Sequence, residues 1–388
     1  MKKATSGTGS IRQRPDGRWE ARYSLGIDRL TGKQRQKSVY GKTKDECVRK
    51  LHEHLEQIKD GIDVESNPTL EEWLRNWYQD FTTDLTYNTC TGYRVIMDRH
   101  LIPSLGRFYV KTLTHIDIQR FYNTLVKNGV SPKYVHNIHS VLSSALKQAM
   151  VPPNALIRRN PTDFVKLPRI KKYEATVLTH DQLLQFLDSA KDSWYYALWI
   201  VMIFSGMRRG EVCGLMLDDI DSQRRVIHVR RQAQRISDNS NPTSKTRVQL
   251  CPTKSKKSRQ VYCAGVVFDA IDEYLKLRNF FAQSCEAVAT SNILFCNMDT
   301  GNPLDPNSVY HVFKRQLKAA GLPSEIRLHD LRHTCATMYL ELGADIKTIQ
   351  EQLGHYSSDF TLRQYAHSTS SMRQHNAELI GQLLGMDE

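Results

Sequence analysis

Tyr365 stands ten residues after His355 near the C-terminal end of the chain, and upstream of both lie Arg208, Lys254 and the pair His329 and Arg332. Together these side chains can hold, protonate and covalently attack one phosphodiester. A planar guanidinium donates two parallel hydrogen bonds to a phosphate, so Arg208 and Arg332 are suited to grip it. Arg208 belongs to Phe204-Ser205-Gly206-Met207-Arg208-Arg209-Gly210-Glu211, where a glycine breaks a buried helix and a second helix starts, with Glu211 close enough to orient the guanidinium. Lys254 lies in the basic stretch Pro252-Thr253-Lys254-Ser255-Lys256-Lys257-Ser258-Arg259 between two strands. That stretch reads as a hairpin tip whose ammonium can enter a DNA groove and protonate a leaving alkoxide. Leu328 to Thr334 reads as a helix on which the i, i+3 spacing sets His329 and Arg332 on one face. A tyrosine hydroxyl ordinarily titrates near 10, roughly three units too high to attack unaided. Beside two arginines and a phosphate its phenolate becomes accessible, and attack yields an aryl phosphodiester.

Each piece alone has a plainer meaning. An Arg–Glu pair is a salt bridge, a lysine-rich turn is solvated surface, a His–Arg pair is surface, and most of the 17 tyrosines are structural. The complete set in this order outweighs those readings.

The elements that position such a set need more than one core, since 388 residues suit two or three domains. With 54 basic against 41 acidic residues the net charge is +13, which favours a polyanionic partner, although a protein of membrane surfaces can be equally basic. Residues 1 to 60 hold 15 Lys and Arg against 8 Asp and Glu, so much of the excess is N-terminal. The eight cysteines are scattered without CxxC or zinc-type spacing, so they read as reduced thiols, and neither a metal nor another cofactor is expected. The apolar run Tyr195 to Phe204 is too short to cross a bilayer and the Lys2-Lys3 start lacks a signal-peptide stretch, so a soluble cytoplasmic protein without membrane contact is expected.

The fold class is a multidomain α+β chain. Residues 1 to 62 read as a small three-stranded sheet plus a helix: Arg18 to Leu25 and Gln34 to Val39 alternate in period two, and Thr43 caps a helix over Lys44 to Ile58. One sheet face is expected to be cationic, carrying Arg12, Arg14, Arg18, Arg22, Lys33, Arg35 and Lys37 to DNA phosphates and base edges. Residues 68 to 165 read as a helical domain with helices at Leu70 to Phe81, Tyr87 to Leu101, Thr114 to Lys127 and Ser131 to Met150, divided by Pro103, Gly106 and Gly129. In the last, Ser131 caps, Pro132 takes the first turn, and Val135 to Ala149 form one apolar stripe. A proline-rich basic connector leads to a boundary near 168 to 178. A mixed α/β domain over 174 to 388 comes next, opening on the capping-box pattern Thr179-His180-Asp181-Gln182, with a helix from Trp194 to Phe204 and strands near Val226 to Val229, Val248 to Leu250 and Gln260 to Cys263. After the tyrosine, Ala377, Ile380 and Leu384, flanked by Leu379 and Leu383, make an apolar helical stripe that needs a groove, on its own domain or on a neighbour.

With these motifs in place the chain resembles the tyrosine recombinases, also called phage-type integrases. The resemblance rests on Gly206-Met207-Arg208-Arg209-Gly210-Glu211, His329-Asp330-Leu331-Arg332-His333-Thr334, Leu353-Gly354-His355 and Tyr365, and it spans nearly the whole chain. It implies an arm-type DNA-binding domain at 1 to 62, a core-binding, SAM-like domain at 68 to 165 and a catalytic domain at 174 to 388. It implies Tyr365 as nucleophile, Lys254 as acid, Arg208 and Arg332 as charge stabilisers, His329 managing the tyrosine proton, His355 on a non-bridging oxygen, and Glu211 in support. Lys133 joins the DNA-contacting set. The implied partners are double-stranded DNA at core and arm-type sites, a tetramer of the protein on that DNA, and a DNA-bending accessory protein and excisionase. The implied setting is the nucleoid of a bacterial host. A type IB topoisomerase uses a similar set to relax DNA, and a catalytically silent DNA-binding regulator is the alternative that is not an enzyme.

Overall fold

The computed structural model describes residues 10–27, 31–153, 155–170, 176–237, 246–253 and 258–354, so Lys254, His355, Tyr365 and the C-terminal stripe lie outside the described residues. The chain divides into two compact units, Met1–Lys172 and Tyr173–Glu388.

In the first unit, strands β1 (Ser10–Gln13), β2 (Trp19–Ile27) and β3 (Gln34–Gly41) form an antiparallel sheet in that order, with helix α1 (Lys44–Lys59) after it. Thr43 caps α1 by accepting the Glu46 N–H. Ala21, Tyr23 and Val39 pack on Cys47 and Leu51 of α1 as a small core. The register corrects the expectation of a single cationic face. Arg12 opposes Glu20 and Arg22 opposes Ser38, placing these on the outer face, whereas Lys37 opposes the buried Tyr23 and therefore shares the α1 side. Arg35 pairs with Glu65, and Arg18 with Asp16 in the β1–β2 turn. On the outer face Glu20 is 4% exposed beneath Arg12, at 2.7 Å, and Arg22, at 3.5 Å. Arg14 lies over the Tyr40 ring. Lys33 is exposed.

Helices α2 (Leu70–Phe81), α3 (Tyr87–Ile96), α4 (Ile102–Leu105), α5 (His115–Lys127) and α6 (Pro132–Gln148) build the second core of this unit. The capping boxes at Thr69 and Thr114 set the starts of α2 and α5. Pro103 was expected to divide two helices, but it lies inside a continuous helical run. A π-helical turn, Met97–Leu101, joins α3 to α4, with Ile102 N–H bonded to Met97 O, so the helix widens just before the proline that has no N–H to give. The expected stripe of α6, from Val135 to Ala149, is buried, and Lys133 is exposed in its first turn.

The second unit opens on α7 (His180–Ala190), capped by the Thr179 box, and α8 (Tyr196–Ser205). Every residue of α8 from Ala197 to Ile203 is buried, as an apolar helix without a polar face must be. Next come α9 (Arg209–Cys213), strands β4 (Ile220–Asp221), β5 (Val226–Val229), β6 (Arg231–Ser237), β7 (Thr246–Pro252) and β8 (Arg259–Tyr262), and helices α10 (Gly265–Ala282), α11 (Glu286–Ala289), α12 (Pro306–Ala319), α13 (Asp330–Glu341) and α14 (Ile346–Leu353). The strands correct the hairpin-tip reading of the lysine turn. β7 pairs with β6 while β8 pairs with β5 in a separate sheet, so the stretch from Thr253 to Ser258 connects two ladders instead of tipping one hairpin. The cause is register: Pro252 opposes Arg231 and Arg259 opposes Val229, leaving only Arg230 across from the excursion.

Gly206 turns the chain from α8 into α9 with φ +61°, and a Cβ there would lie 2.4 Å from Leu353 Cδ2 and 3.1 Å from Cys335 Sγ. Gly206→Ala is therefore expected to destabilise the fold by roughly 2 to 4 kcal/mol, combining left-handed backbone strain with overpacking. A denaturant midpoint equal to that of the parent would refute this.

Candidate active site

Arg208 is the residue before α9, and its backbone N–H donates to Glu211 Oε2 at 2.9 Å, so the carboxylate three residues on caps the helix start. Glycines let α9 sit close to the sheet: a Cβ on Gly210 would lie 2.9 Å from Ala233 O, and one on Gly214 2.8 Å from Ala233 N. The Arg208 guanidinium gives Nη1 to Glu211 Oε1 at 2.9 Å and Nη2 to Gly354 O at 3.0 Å, with 28% of the side chain exposed.

Arg332 reaches the same turn from the first turn of α13. Only 2% exposed, it donates Nη1 to Gly206 O at 2.8 Å. Arg332 is thus anchored on the glycine turn from which Arg208 projects. His329 directly precedes α13, its ring 5.0 Å from that of His333 and perpendicular to it. Crowding by protein, then the charges of His333, Arg332 and Arg208, push the His329 imidazole down to about 4 against the opposing pull of Glu211. His329 as a residue is exposed, which tempers the shift without reversing it, so the ring is neutral at pH 7.

Glu211, 1% exposed, is the anion at the centre. Burial raises its pKa, but the hydrogen bonds and charge of Arg259, then the charge of Arg208, more than offset this and bring it to about 2. Arg259 was not among the residues expected from sequence. It opens β8, donates Nη1 and Nη2 to Glu211 Oε1 and Oε2 at 3.0 and 2.7 Å, and gives Nε to Gln352 O at 3.3 Å. A signal for it existed: Arg259 and Val261 share a strand face, and Val261 is fully buried. Gln352 was missed as well. Its side chain meets Tyr262 as a neighbouring strand would, accepting from Tyr262 N at 3.2 Å and donating to Tyr262 O at 2.7 Å, and so seats α14 on β8. α14 ends at Gly354 with φ +66°, where a Cβ would lie 2.9 Å from Arg259 Cδ. The backbone that precedes His355 is therefore fixed against both Arg208 and Arg259.

Of the expected catalytic residues, the structure brings together Arg208, His329 and Arg332, with Glu211 in support; Lys254, His355 and Tyr365 lie outside the described residues. Among the described residues no group of three or more His, Cys, Asp or Glu side chains is placed to hold a metal, and no helix is long and apolar enough to cross a membrane. A guanidinium anchored on the turn and another projecting from it, beside a neutral imidazole and an ionised carboxylate whose charge is already paired, suit a phosphate that gains charge during reaction.

Residues 176–372 match the family model described as the phage integrase family, and residues 69–126 match that of the phage integrase N-terminal SAM-like domain. An integrase of Saccharopolyspora erythraea is 25% identical over 94% of this chain and 93% of its own length. Among solved structures, the Tn1549 transposon integrase in complex with transposon right end DNA superposes with a TM-score of 0.67 at 22% identity, covering 81% of this chain and 99% of that one. The lambda integrase tetramer bound to a Holliday junction gives 0.57 at 17% identity, covering 95% and 99%. The fold is that of the integrases. The chain belongs to the phage integrase family and is a tyrosine recombinase.

Both depressed pKa values make stability depend on pH. Between about 2 and the ordinary carboxyl value of 4.5 the unfolded chain holds more protons at Glu211 than the folded one, so the stability from Glu211 is complete above 4.5 and lost as pH falls through about 2. His329 adds a loss of the same sign between its ordinary 6.5 and about 4. A ring-proton titration by NMR, assigned with His329→Gln, is expected to show a midpoint far below 6.5. A midpoint at the ordinary value would contradict the cationic crowding.

Proposed function

We propose that the protein is a site-specific integrase that cuts and rejoins DNA through a 3′-phosphotyrosyl intermediate and a Holliday junction, integrating and excising a mobile element. The observation that carries this reading is Arg332 anchored on the Gly206 turn, from which Arg208 projects to Glu211 and Gly354 O, beside a neutral His329. In the proposed step the Tyr365 oxygen bonds to the scissile phosphorus, the bond to the 5′ oxygen breaks, and Lys254 gives that oxygen its proton. His329 takes the tyrosine proton, for which a neutral ring is required. Arg208 and Arg332 stabilise the added charge, and His355 holds a non-bridging oxygen. The phosphotyrosine retains the energy of the broken bond, so rejoining needs no nucleotide.

Residues 1–62 act in this proposal as an arm-type DNA-binding domain, with Arg12, Arg14 and Arg22 on the outer sheet face as its first contacts. Residues 68–165 bind the core site, with Lys133 on phosphate, and 174–388 hold the chemistry. Four protomers assemble on two duplexes, the stripe at 374–388 docking on a neighbour, with a DNA-bending protein and an excisionase setting direction at the nucleoid.

Tyr365→Phe is expected to abolish covalent capture on a nicked suicide duplex while DNA binding persists, and an adduct formed instead on Tyr356 would reject the assignment. Lys254→Ala is expected to slow cleavage by roughly 10²- to 10⁴-fold, the usual contribution of a general acid. Because a thiolate leaves without a proton, a substrate with sulfur at the 5′ bridging position should recover most of that loss. Equal losses on both substrates would transfer the role to Lys256 or Lys257.

A further inference from the structure

Arg259 spends its donors inside the protein. Nη1 and Nη2 bind the Glu211 carboxylate, Nε binds Gln352 O, and only 12% of the side chain is exposed. Arg208 gives the same carboxylate one Nη1 bond and Gly354 O one Nη2 bond, and keeps 28% of its side chain exposed. Charge shows why the difference matters. Two guanidiniums against one buried carboxylate leave a net charge of one positive unit, and Arg208, the more exposed of the two, is the one placed to present it to a ligand. If Arg259 were neutral, Glu211 and Arg208 would form a closed pair with no net charge, and a buried carboxylate with one partner draws that partner into a two-bond fork. The guanidinium would then turn from solvent toward the core.

We propose that Arg259 is a positioning residue for strand transfer: by binding both oxygens of Glu211 it leaves Arg208 charged and aimed outward, and by holding Gln352 O it fixes the backbone that leads through Gly354 to His355. This rests on the reading in which Arg208 grips the scissile phosphate. Arg259 itself touches no DNA in this role. A displacement of about 1 Å at a reacting centre can cost roughly 10²-fold in rate, which sets the expected size of the effect.

The test uses the full chain and nicked suicide duplexes carrying either the normal scissile phosphate or a methylphosphonate, in which a neutral methyl replaces a charged non-bridging oxygen and less charge has to be stabilised. Arg259→Gln is expected to slow cleavage of the normal duplex by roughly 10²-fold, to leave DNA affinity unchanged, and to recover most of the rate on the methylphosphonate. Glu211→Gln combined with Arg259→Gln should cleave the normal duplex far faster than Arg259→Gln alone, because a neutral amide no longer draws Arg208 inward. Should Arg259→Gln fail to fold, Arg259→Lys carries the test: it keeps a positive charge beside Glu211 but lacks the rigid fork that meets both carboxylate oxygens and Gln352 O at once, so a smaller loss that the methylphosphonate again relieves is expected, and parental cleavage or an equal loss on both duplexes overturns the proposal. A loss in Arg259→Gln of equal size on both duplexes, or no loss, overturns it too. Arg208→Ala, run in parallel, reads the underlying assignment. If Arg208→Ala is relieved by the methylphosphonate and Arg259→Gln is not, the positioning role alone falls; if neither is relieved, the phosphate grip of Arg208 falls and the positioning role falls with it.

Discussion

A buried carboxylate shared by two guanidiniums organises the second unit. Glu211 is 1% exposed, and an ion so placed is tolerable only when its charge and lone pairs are met. Arg208, Arg259 and the Arg208 backbone N–H meet them, and together the two arginines bring three elements to the same point: the start of α9, the start of β8 and, through Gln352 O and Gly354 O, the end of α14. α13 joins through Arg332 on Gly206 O. Removing one partner of such a pair leaves the other buried and unmet, which typically costs about 3 to 5 kcal/mol. The arrangement is thus at once a lock on tertiary structure and the frame of the site.

A smaller version of the same device lies on the N-terminal sheet. Glu20 is held at about 2 by the Ser38 hydroxyl and by Arg12, and sits beneath Arg12 and Arg22 on the outer face. In both places an acid that subtracts from the positive field orders the arginines around it. Guanidiniums with long flexible stems lose much entropy on meeting a ligand, and a fixed acid takes up part of that loss in advance.

Much of this was legible in the sequence because local chemistry wrote it. Thr43, Ser131 and Thr179 cap helices where they were expected, and Thr69 and Thr114 cap helices whose starts were expected at or one residue from them. The apolar run of α8 and the strand at Val226–Val229 were equally direct. The Arg208–Glu211 pair, three residues apart, was readable for the same reason. What stayed hidden depended on long-range pairing. Arg259 lies 48 residues from Glu211, and no spacing rule connects them. The partner of a strand is likewise not written in its own residues, so the lysine turn passed for a hairpin tip, and Lys37 passed for a member of the outer face until register placed it opposite Tyr23.

The excursion from Thr253 to Ser258 leaves and rejoins the strands on either side of a single opposing residue, Arg230. Its two ends are thus held by independent ladders, β6–β7 before it and β5–β8 after it. Lengthening such a segment changes neither ladder's register, and doubling its length costs only about 0.6 kcal/mol in closure entropy. The strand that carries Arg259 is therefore held by its own ladder, whatever the length of the stretch before it. The frame of Glu211, Arg208 and Arg259 is thus insulated from the length of that stretch, because neither ladder depends on it.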